Sequence, residues 1–319
     1  MTKTIFITGG AGFIGSHLSE MYVNQGYNVI CIDNLVSGNL ENLAQIRDHA
    51  RFTFIEADIR DHKTMLALFQ KYRPNIINHH AAQKSVADSV ENPSYDLDVN
   101  LVGLMSILDC IKAYPIENFI YVSSGGALSK KIEGSEKSKE TDTPQLISPY
   151  ALTKFTGEKY VEMYAAQYGY QYTVVRYANI YGPRQVPDGE CGVIPIFLNN
   201  ILADKPSILM TYPDMPNGCT RDYVYVGDVV RINQLATESP TNTVINVGTG
   251  EEVAILDIYK EILTVFEKDV AIFIEAPRAG DVKRSVLDAT RASELLNWKS
   301  NVSLHEGLLE LKNHLTITK

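Results

Sequence analysis

Tyr150 and Lys154 stand four residues apart in SPYALTKFTGEKY, residues 148–160, a stretch that reads as helix. Positions i and i+4 of a helix share a face, so the phenol and the ammonium can point together. A free phenol titrates near pH ~10 and is a poor base at neutrality. A neighbouring ammonium favours the phenolate. Taken alone, the pair also fits surface decoration, because exposed helices often carry Tyr and Lys at this spacing. The strand NFIYVSS just upstream changes that reading, since it ends in Ser123 and Ser124. A hydroxyl there can bond the same substrate oxygen that Tyr150 would deprotonate. Ser124, Tyr150 and Lys154 are therefore candidates for an alcohol-oxidation site. Tyrosine would take the hydroxyl proton and an oxidised nicotinamide the hydride.

A second constellation supplies that oxidant. Residues 8–15 read TGGAGFIG, with Gly9, Gly12 and Gly15 spaced by three between an apolar strand and a helix. The first glycine permits a tight turn, the second lets backbone approach a pyrophosphate, and the third lets helix and strand pack closely. The helix N-terminus then faces the negative charge. Asp33 ends the next strand, VICIDN. Its carboxylate can accept both hydroxyls of an adenosine ribose and would repel a 2′-phosphate, which predicts NAD over NADP. Asp58 closes the third strand, FIEADIR, and is placed to meet adenine through its carboxylate and the following amide, that of Ile59.

Elements that could hold these residues alternate along the chain. Strands are expected at KTIFITG, NVICID, RFTFIEAD, NIINHHA, NFIYVSS, TVVRYANIYG and TVINVG. Helices are expected at FIGSHLSEMYVNQG, DHKTMLALFQKY, a long run from 94 to 113, and 150 to 168. Short apolar strands separated by amphipathic helices predict an α/β fold, a Rossmann-type doubly wound parallel sheet, with its ligand site beyond the C-terminal strand ends. After Gly182-Pro183 the composition turns to Pro, Gly, Asn and Asp, with one short helix in IPIFLNNILADK and another at HEGLLELKNHL. This predicts residues 1–180 as an NAD-binding domain, with 223–250 returning to it, and 181–222 plus 251–319 as a smaller C-terminal substrate-binding lobe. The polar segment 129–144 is expected to be an exposed loop.

Composition narrows the partners. The 319 residues carry a net charge of −9, which argues against nucleic acid. No run reaches the ~18 apolar residues of a membrane span, and MTKTIFITGG reads as a first strand rather than a leader. The four cysteines, Cys31, Cys110, Cys191 and Cys219, show no CxxC spacing and are expected to be free thiols in a reducing, cytoplasmic compartment. His79 and His80 are adjacent, so a strand would turn them to opposite faces. No metal site is expected.

The chain resembles the extended short-chain dehydrogenase/reductase family and, within it, the UDP-hexose 4-epimerases. The matching pieces are TGGAGFIG, DN at 33–34, EADIRD at 56–61, HHAAQKSV at 79–86, the Ser124–Tyr150–Lys154 set, RYANIYGPRQ at 176–185, TRDYVYVGDVV at 220–230, NVGTG at 246–250 and PRAGDVKRSVLD at 277–288. They cover nearly the whole chain in order. The resemblance implies an NAD-dependent 4-epimerase that oxidises a sugar at C4, lets the 4-keto sugar turn over, and returns the hydride to the other face. It implies NAD contacts from Phe13, Ile14, Asn34, Ile59, Ala81, Ala82, Lys84, Asn100 and Tyr177, besides the glycines, Asp33, Asp58, Tyr150 and Lys154. On the substrate side it implies Lys84, Ser124, Tyr150, Asn179, Gly192, Val193, Arg221, Arg278, Asp281 and Ser285, with the arginines on the diphosphate. Arginine's planar fork of donors suits phosphate oxygens.

Related dehydratases carry an Asp-Glu pair beside the serine strand, and related decarboxylases an acid. This chain reads SSGGAL, where Gly125, Gly126 and Ala127 can carry no proton, so epimerisation is the expected outcome. The alternatives are a 4-epimerase of a nucleotide-linked uronic acid, with Arg184 or Lys130 on the carboxylate, and an oxidoreductase that releases a keto product. Three departures from the family pattern stand out: Leu128-Ser129 in place of Tyr-Gly, TYPDMPNGC at 211–219 in place of a shorter turn, and Ser285 at a position that limits sugar size. A serine there leaves room for a 2-acetamido group, so UDP-N-acetylglucosamine is expected as a substrate as well as, or better than, UDP-glucose. The helices around 94–113 and 150–168 carry apolar residues on more than one face, and in relatives the equivalent helices pair across a two-fold axis. A homodimer is expected.

Overall fold

The computed structural model describes residues 2–187, 192–277 and 282–317. The glycine cradle joins β1 (Thr4–Thr8) to α1 (Phe13–Asn24), and the chain continues through β2 (Asn28–Asp33), β3 (Phe52–Glu56), α2 (His62–Tyr72) and β4 (Ile76–His79). Two short helices, α3 (Val86–Glu91) and α4 (Pro93–Leu97), lead through a π-helical turn over Asp98–Val102 into α5 (Gly103–Ala113). The expected single helix from 94 to 113 is thus wound differently at its centre, where Asn100 turns inward. β5 (Asn118–Ser124), the single turn α6 (Gly125–Leu128), α7 (Pro149–Tyr168) and β6 (Gln171–Tyr177) complete the first half.

Seven strands form one sheet in the order β11-β6-β5-β4-β1-β2-β3, where β11 is Thr243–Val247. Every pairing in it is parallel. Alternation along the strands explains why both faces are covered. In β1, Phe6 faces a core with Phe69, Leu104, Phe119 and Val161, whereas Ile5 and Ile7 face one with Leu18, Tyr22 and Val29. The order reverses between β1 and β4, which opens the crevice where ligands of such sheets bind.

The expected strand TVVRYANIYG is broken at Ala178. β6 stays in the main sheet. β7 (Asn179–Tyr181) leaves it and pairs in parallel with β10 (Tyr223–Tyr225). Beyond lie α8 (Val193–Leu202), β8 (Ser207–Met210) and β9 (Thr220–Arg221). After β10 come α9 (Val226–Glu238), β11, β12 (Val253–Ala254), α10 (Ile255–Phe266), β13 (Ile272–Glu275), β14 (Arg284–Ser285), α11 (Thr290–Leu296) and α12 (Leu304–Ile317). α8, α10 and α12 share one core with Tyr181 and Tyr223.

Two expectations need correction. Ala292, Leu296 and Trp298, expected in the lobe, pack with Ile120, Val175 and Ile245 against the central sheet. Segment 129–144 is more than a solvated loop: Ile132 and Ser138 are buried, Ser138 exchanges backbone hydrogen bonds with Val286 and Asp288, and the Glu140 carboxylate accepts from the Asn246 amide. It straps the β14 segment to the end of the main sheet. The described cysteines, Cys31, Cys110 and Cys219, are buried and in no disulfide; Cys191 lies outside the described residues. No described helix is long and apolar enough to cross a membrane, and no His/Cys/Asp/Glu cluster among the described residues could hold a metal.

Trp298 is fully buried and donates its indole N–H to the Asp228 carbonyl at 3.1 Å. Trp298→Ala is expected to cost about 3–5 kcal/mol in urea melts, the range for emptying a large aromatic site in a core.

Candidate active site

The cradle at the β1–α1 turn is shaped by what a side chain would displace. Gly9 has φ +68°, and a Cβ there would fall 2.8 Å from the Ala81 nitrogen. A Cβ on Gly15 would fall 2.1 Å from the Gly9 carbonyl oxygen. Strand β4 and helix α1 therefore close onto bare backbone. Gly12 caps α1 without a side-chain hydrogen bond, unlike Asp61, Ser85 and Ser148 at α2, α3 and α7. The first-turn amides of α1 stay available to an anion. Phe13 and Ile14 open this turn.

Asp33 closes β2 beside the cradle. Its Oδ2 accepts from the Ala11 amide at 3.0 Å and its Oδ1 from the Leu35 amide at 2.8 Å. Burial raises its pKa and those amides oppose the rise. A carboxylate has about four lone-pair sites, so two stay open for a pair of ribose hydroxyls. This donor set and the bare-backbone cradle fit NAD. Asp58 differs: Oδ1 accepts from the Arg60 amide and Nε, and Oδ2 from Arg60 and from Asn34 Nδ2 at 2.8 Å. Its hydrogen bonds from the Arg60 side chain hold its carboxyl well below the usual range. Those four donors use its accepting capacity, so Asp58 organises the strand end together with Asn34. Ile59 turns its side chain into the core, which leaves its backbone for any ligand.

Beyond β4, Ala81 and Ala82 follow the strand end and Lys84 lies exposed. Asn100 is buried. It accepts from the Gln83 amide at 2.9 Å and donates to the Gln83 carbonyl, to Asp96 and to Thr153. It ties the loop after β4 to α7, the helix that carries Tyr150 and Lys154.

Ser148 caps α7 by accepting from the Ala151 amide, and Pro149 occupies the first turn. From there Lys154 runs inward. Its Nζ donates to the Val122 carbonyl at 3.1 Å and lies 5.4 Å from the Tyr121 ring centre and 6.0 Å from that of Tyr150. Gly157 makes the approach possible, because a Cβ there would fall 2.1 Å from the Tyr121 hydroxyl. Burial draws the Lys154 pKa down to about 8, while Asp96 and Glu158 act against it. An ammonium therefore sits beside the phenol at neutral pH. His79 and His80 are pushed down to about 3, mainly by burial and then by the Lys154 charge, and are neutral.

The two serines of β5 part company. Ser123 Oγ donates to Glu158 Oε1 at 2.5 Å, inside a buried pair in which Arg176 grips Glu158 through two bonds. Ser124 lines a cleft of about 280 Å³ with Gly126, Ala127, Tyr177, Ala178, Asn179, Arg221, Val282 and Ser285. The Ala127 amide donates to Ser124 Oγ, so the hydroxyl proton is left to point elsewhere. The cleft brings together four expected substrate residues, Ser124, Asn179, Arg221 and Ser285, from β5, β7, β9 and β14. Tyr177, expected at the cofactor, lines it too, with its hydroxyl between Asn233 at 2.7 Å and His80 at 3.3 Å. Gly192, with φ +86°, caps α8 and Val193 begins that helix. Arg278 and Asp281 lie outside the described residues.

Asp222 escaped the sequence reading. It is buried and accepts from the Thr249, Gly250 and Leu287 amides and the Thr249 hydroxyl, so it locks NVGTG and the β14 segment to the strand that carries Arg221. The DY after TR in TRDYVYV was the available signal, an acid inside an apolar strand. The departures have local explanations. Leu128 is a core residue, Ser129 donates to the Gly125 carbonyl at 2.7 Å, and the 211–219 turn is fastened by Lys283 to Asp214 and over the Tyr212 ring. The two cations considered for a uronate are paired within the chain: Arg184 with Glu20 at 2.6 Å, and Lys130 with Glu136 at 3.4 Å and Asp142 at 3.6 Å.

The NAD dependent epimerase/dehydratase family model matches residues 5–248. A UDP-glucose 4-epimerase of Mycolicibacterium smegmatis is 35% identical over 95% of each chain. The structure of Thermotoga maritima UDP-glucose 4-epimerase with UDP-glucose superposes with a TM-score of 0.92 at 41% identity, covering 99% of each chain. That of Methanobrevibacter ruminantium UDP-N-acetylglucosamine 4-epimerase with UDP-N-acetylmuramic acid does so at 0.90 and 30% identity, covering 100% of this chain and 99% of that one.

Gly15→Ala is expected to abolish NAD retention while leaving a folded protein by circular dichroism, because the new methyl must displace the Gly9 carbonyl or the helix end. NAD released from purified protein by acid and measured by absorbance checks this.

Proposed function

We propose, from the premise that this chain belongs to the NAD dependent epimerase/dehydratase family, that it is an NAD-dependent UDP-sugar 4-epimerase whose preferred substrates include a 2-acetamido hexose. The observation that carries the reading is the cleft in which Ser124, Asn179, Arg221 and Ser285 converge, together with the approach of Lys154 to Tyr150 on α7. When bound, NAD supplies a reversible oxidant for the C4 alcohol.

The protein's own residues do the rest. Lys154 stabilises the phenolate of Tyr150, which takes the C4 hydroxyl proton and gives it back. Ser124 donates its free O–H to the same oxygen and orients it. Arg221 spends one guanidinium nitrogen on the Thr220 and Lys283 carbonyls and offers its other N–H groups to the diphosphate. Arg278, Asp281, Lys84, Gly192 and Val193 complete the nucleotide and sugar contacts in this reading. Binding energy placed on the nucleotide lets the hexose stay loosely held, as inversion of the sugar requires.

Ser285 supports the acetamido reading. It is small, buried on the cleft wall, and faces Gly126 across 3.9 Å from the position a Cβ would take there. The internal pairing of Arg184 and Lys130 favours a neutral sugar over a uronic acid. A glycine-rich stretch after Ser124 favours return of the oxidised sugar to an alcohol over elimination. Exposed apolar residues on α3, α4, the π-helical turn and α7, among them Val90, Leu97, Val102, Leu152 and Met163, support a homodimer through these helices. Buried cysteines outside any disulfide among the described residues support a reducing compartment.

A panel of UDP-, GDP-, CDP- and dTDP-sugars, incubated without added cofactor and scored by product identity, tests the function. The expected result is epimer formation with UDP-N-acetylglucosamine and UDP-glucose and no net NADH. Turnover of UDP-galactose with UDP-N-acetylgalactosamine untouched would reject the acetamido reading. A released keto product would reject epimerisation.

A further inference from the structure

Helix α4 packs on α7, and their contact holds a carboxylate that the reaction above does not use. Asp96 is 0% exposed. Its Oδ2 accepts from Thr153 Oγ1 at 2.6 Å and its Oδ1 from Asn100 Nδ2 at 3.0 Å. Both donors are neutral. A buried carboxylate with neutral partners alone is unfavourable unless a cation lies close. Lys154 follows Thr153 in the chain, is 4% exposed, and has a neutral carbonyl as its hydrogen-bond partner. The other buried acid nearby, Glu158, already has its own cation in Arg176. Among the described residues Lys154 has no contacting anion and Asp96 no contacting cation; Asp96, on α4, bonds the residue next to Lys154 on α7, and each favours the charged form of the other.

We propose that Asp96 is a positioning residue for the reaction: the buried counter-charge that keeps Lys154 an ammonium beside Tyr150, held in place by Thr153 and Asn100. It acts through Lys154 and touches neither substrate nor cofactor. The proposal rests on Tyr150 and Lys154 being the proton-handling pair.

The charged and titratable groups around Lys154 are Tyr150 and Glu158 on its own helix, Asp96 on α4, His79 at the end of β4 and His80 just after it, and Tyr121 on β5. The histidines are neutral above about pH 3, and burial raises the Tyr121 phenol well above its usual range. Lys154 is then the group that loses charge near pH 8, and with it the support for the Tyr150 phenolate. Removing the Asp96 charge lowers that pH further. Asp96→Asn, nearly isosteric, is expected to shift the alkaline limb of the kcat–pH profile down by about one unit, a loss of up to ~10-fold in kcat above that limb. KM for the UDP-sugar and the NAD content should stay at wild-type values. Thr153→Val, which keeps the Asp96 charge and its Asn100 partner but removes one donor, should move the limb by less than Asp96→Asn does. An unmoved limb in Asp96→Asn, or an equal shift in Thr153→Val, would overturn the proposal.

A second arm needs no turnover, so it fails separately from the functional assignment. Urea melts at pH 7 of Asp96→Asn, Lys154→Met and the double variant should give a double variant more stable than the sum of the single losses predicts, because it leaves neither charge buried alone. Additive losses would contradict the proposal even if Asp96→Asn folds too poorly to assay.

Discussion

A desolvated ammonium next to a phenol is the constraint around which the site is arranged. Lys154 lies among the Tyr121 and Tyr150 rings and the Val122 carbonyl, so water contributes little to its solvation. That is costly for a cation, and the same low-dielectric setting makes its field on the phenol strong. The cost explains features that otherwise look incidental. Gly157 lets α7 sit close on β5. The π-helical turn rotates Asn100 inward to hold Asp96 and the loop after β4. The Arg176–Glu158 pair carries its own balance, while the Glu158 carboxylate still favours the ammonium form of Lys154.

The sheet then sets where that chemistry meets ligand. The cradle, Asp33 and the loop after β4 gather where strand order reverses between β1 and β4. The cleft gathers on the other side of β4, where β5 ends at Ser124 and β6 gives way to β7. Breaking the strand at Ala178 carries the chain from the main sheet to the β7–β10 pair within three residues. Asp222 prevents the two from being merely adjacent. Its carboxylate joins NVGTG, the β14 segment and the strand of Arg221, so Arg221 is referenced to the same frame as Ser124.

Much of this was legible in the residues. The apolar runs around Ile5, Ile30, Ile77, Phe119 and Val174 carry enough β-branched and aromatic side chains to mark the parallel strands, and the glycine triplet followed by Asp33 marks the cofactor turn. The Tyr150–Lys154 spacing becomes informative once the serine strand precedes it. Other features are invisible locally. Nothing in SS at 123–124 says which hydroxyl faces Glu158 and which the cleft, because strand alternation gives the parity but not the side. The role of Asp58 depends on Arg60 folding back onto it. Asp222 and Asp96 are single acids whose meaning comes from partners 27 to 65 and 57 residues away. The return of Trp298 to the main core is decided by tertiary packing, not by any periodicity in its own segment.

The central claim is that the Tyr150 hydroxyl, made acidic by Lys154, exchanges a proton with the sugar alcohol. Turnover of Tyr150→Phe, assayed beside the NAD content of the same preparation, addresses it directly. Loss of the phenolic oxygen should lower kcat by about 10²–10⁴-fold, the range for a positioned general base, with bound NAD at the wild-type level. Near-normal turnover in NAD-loaded Tyr150→Phe would contradict that account.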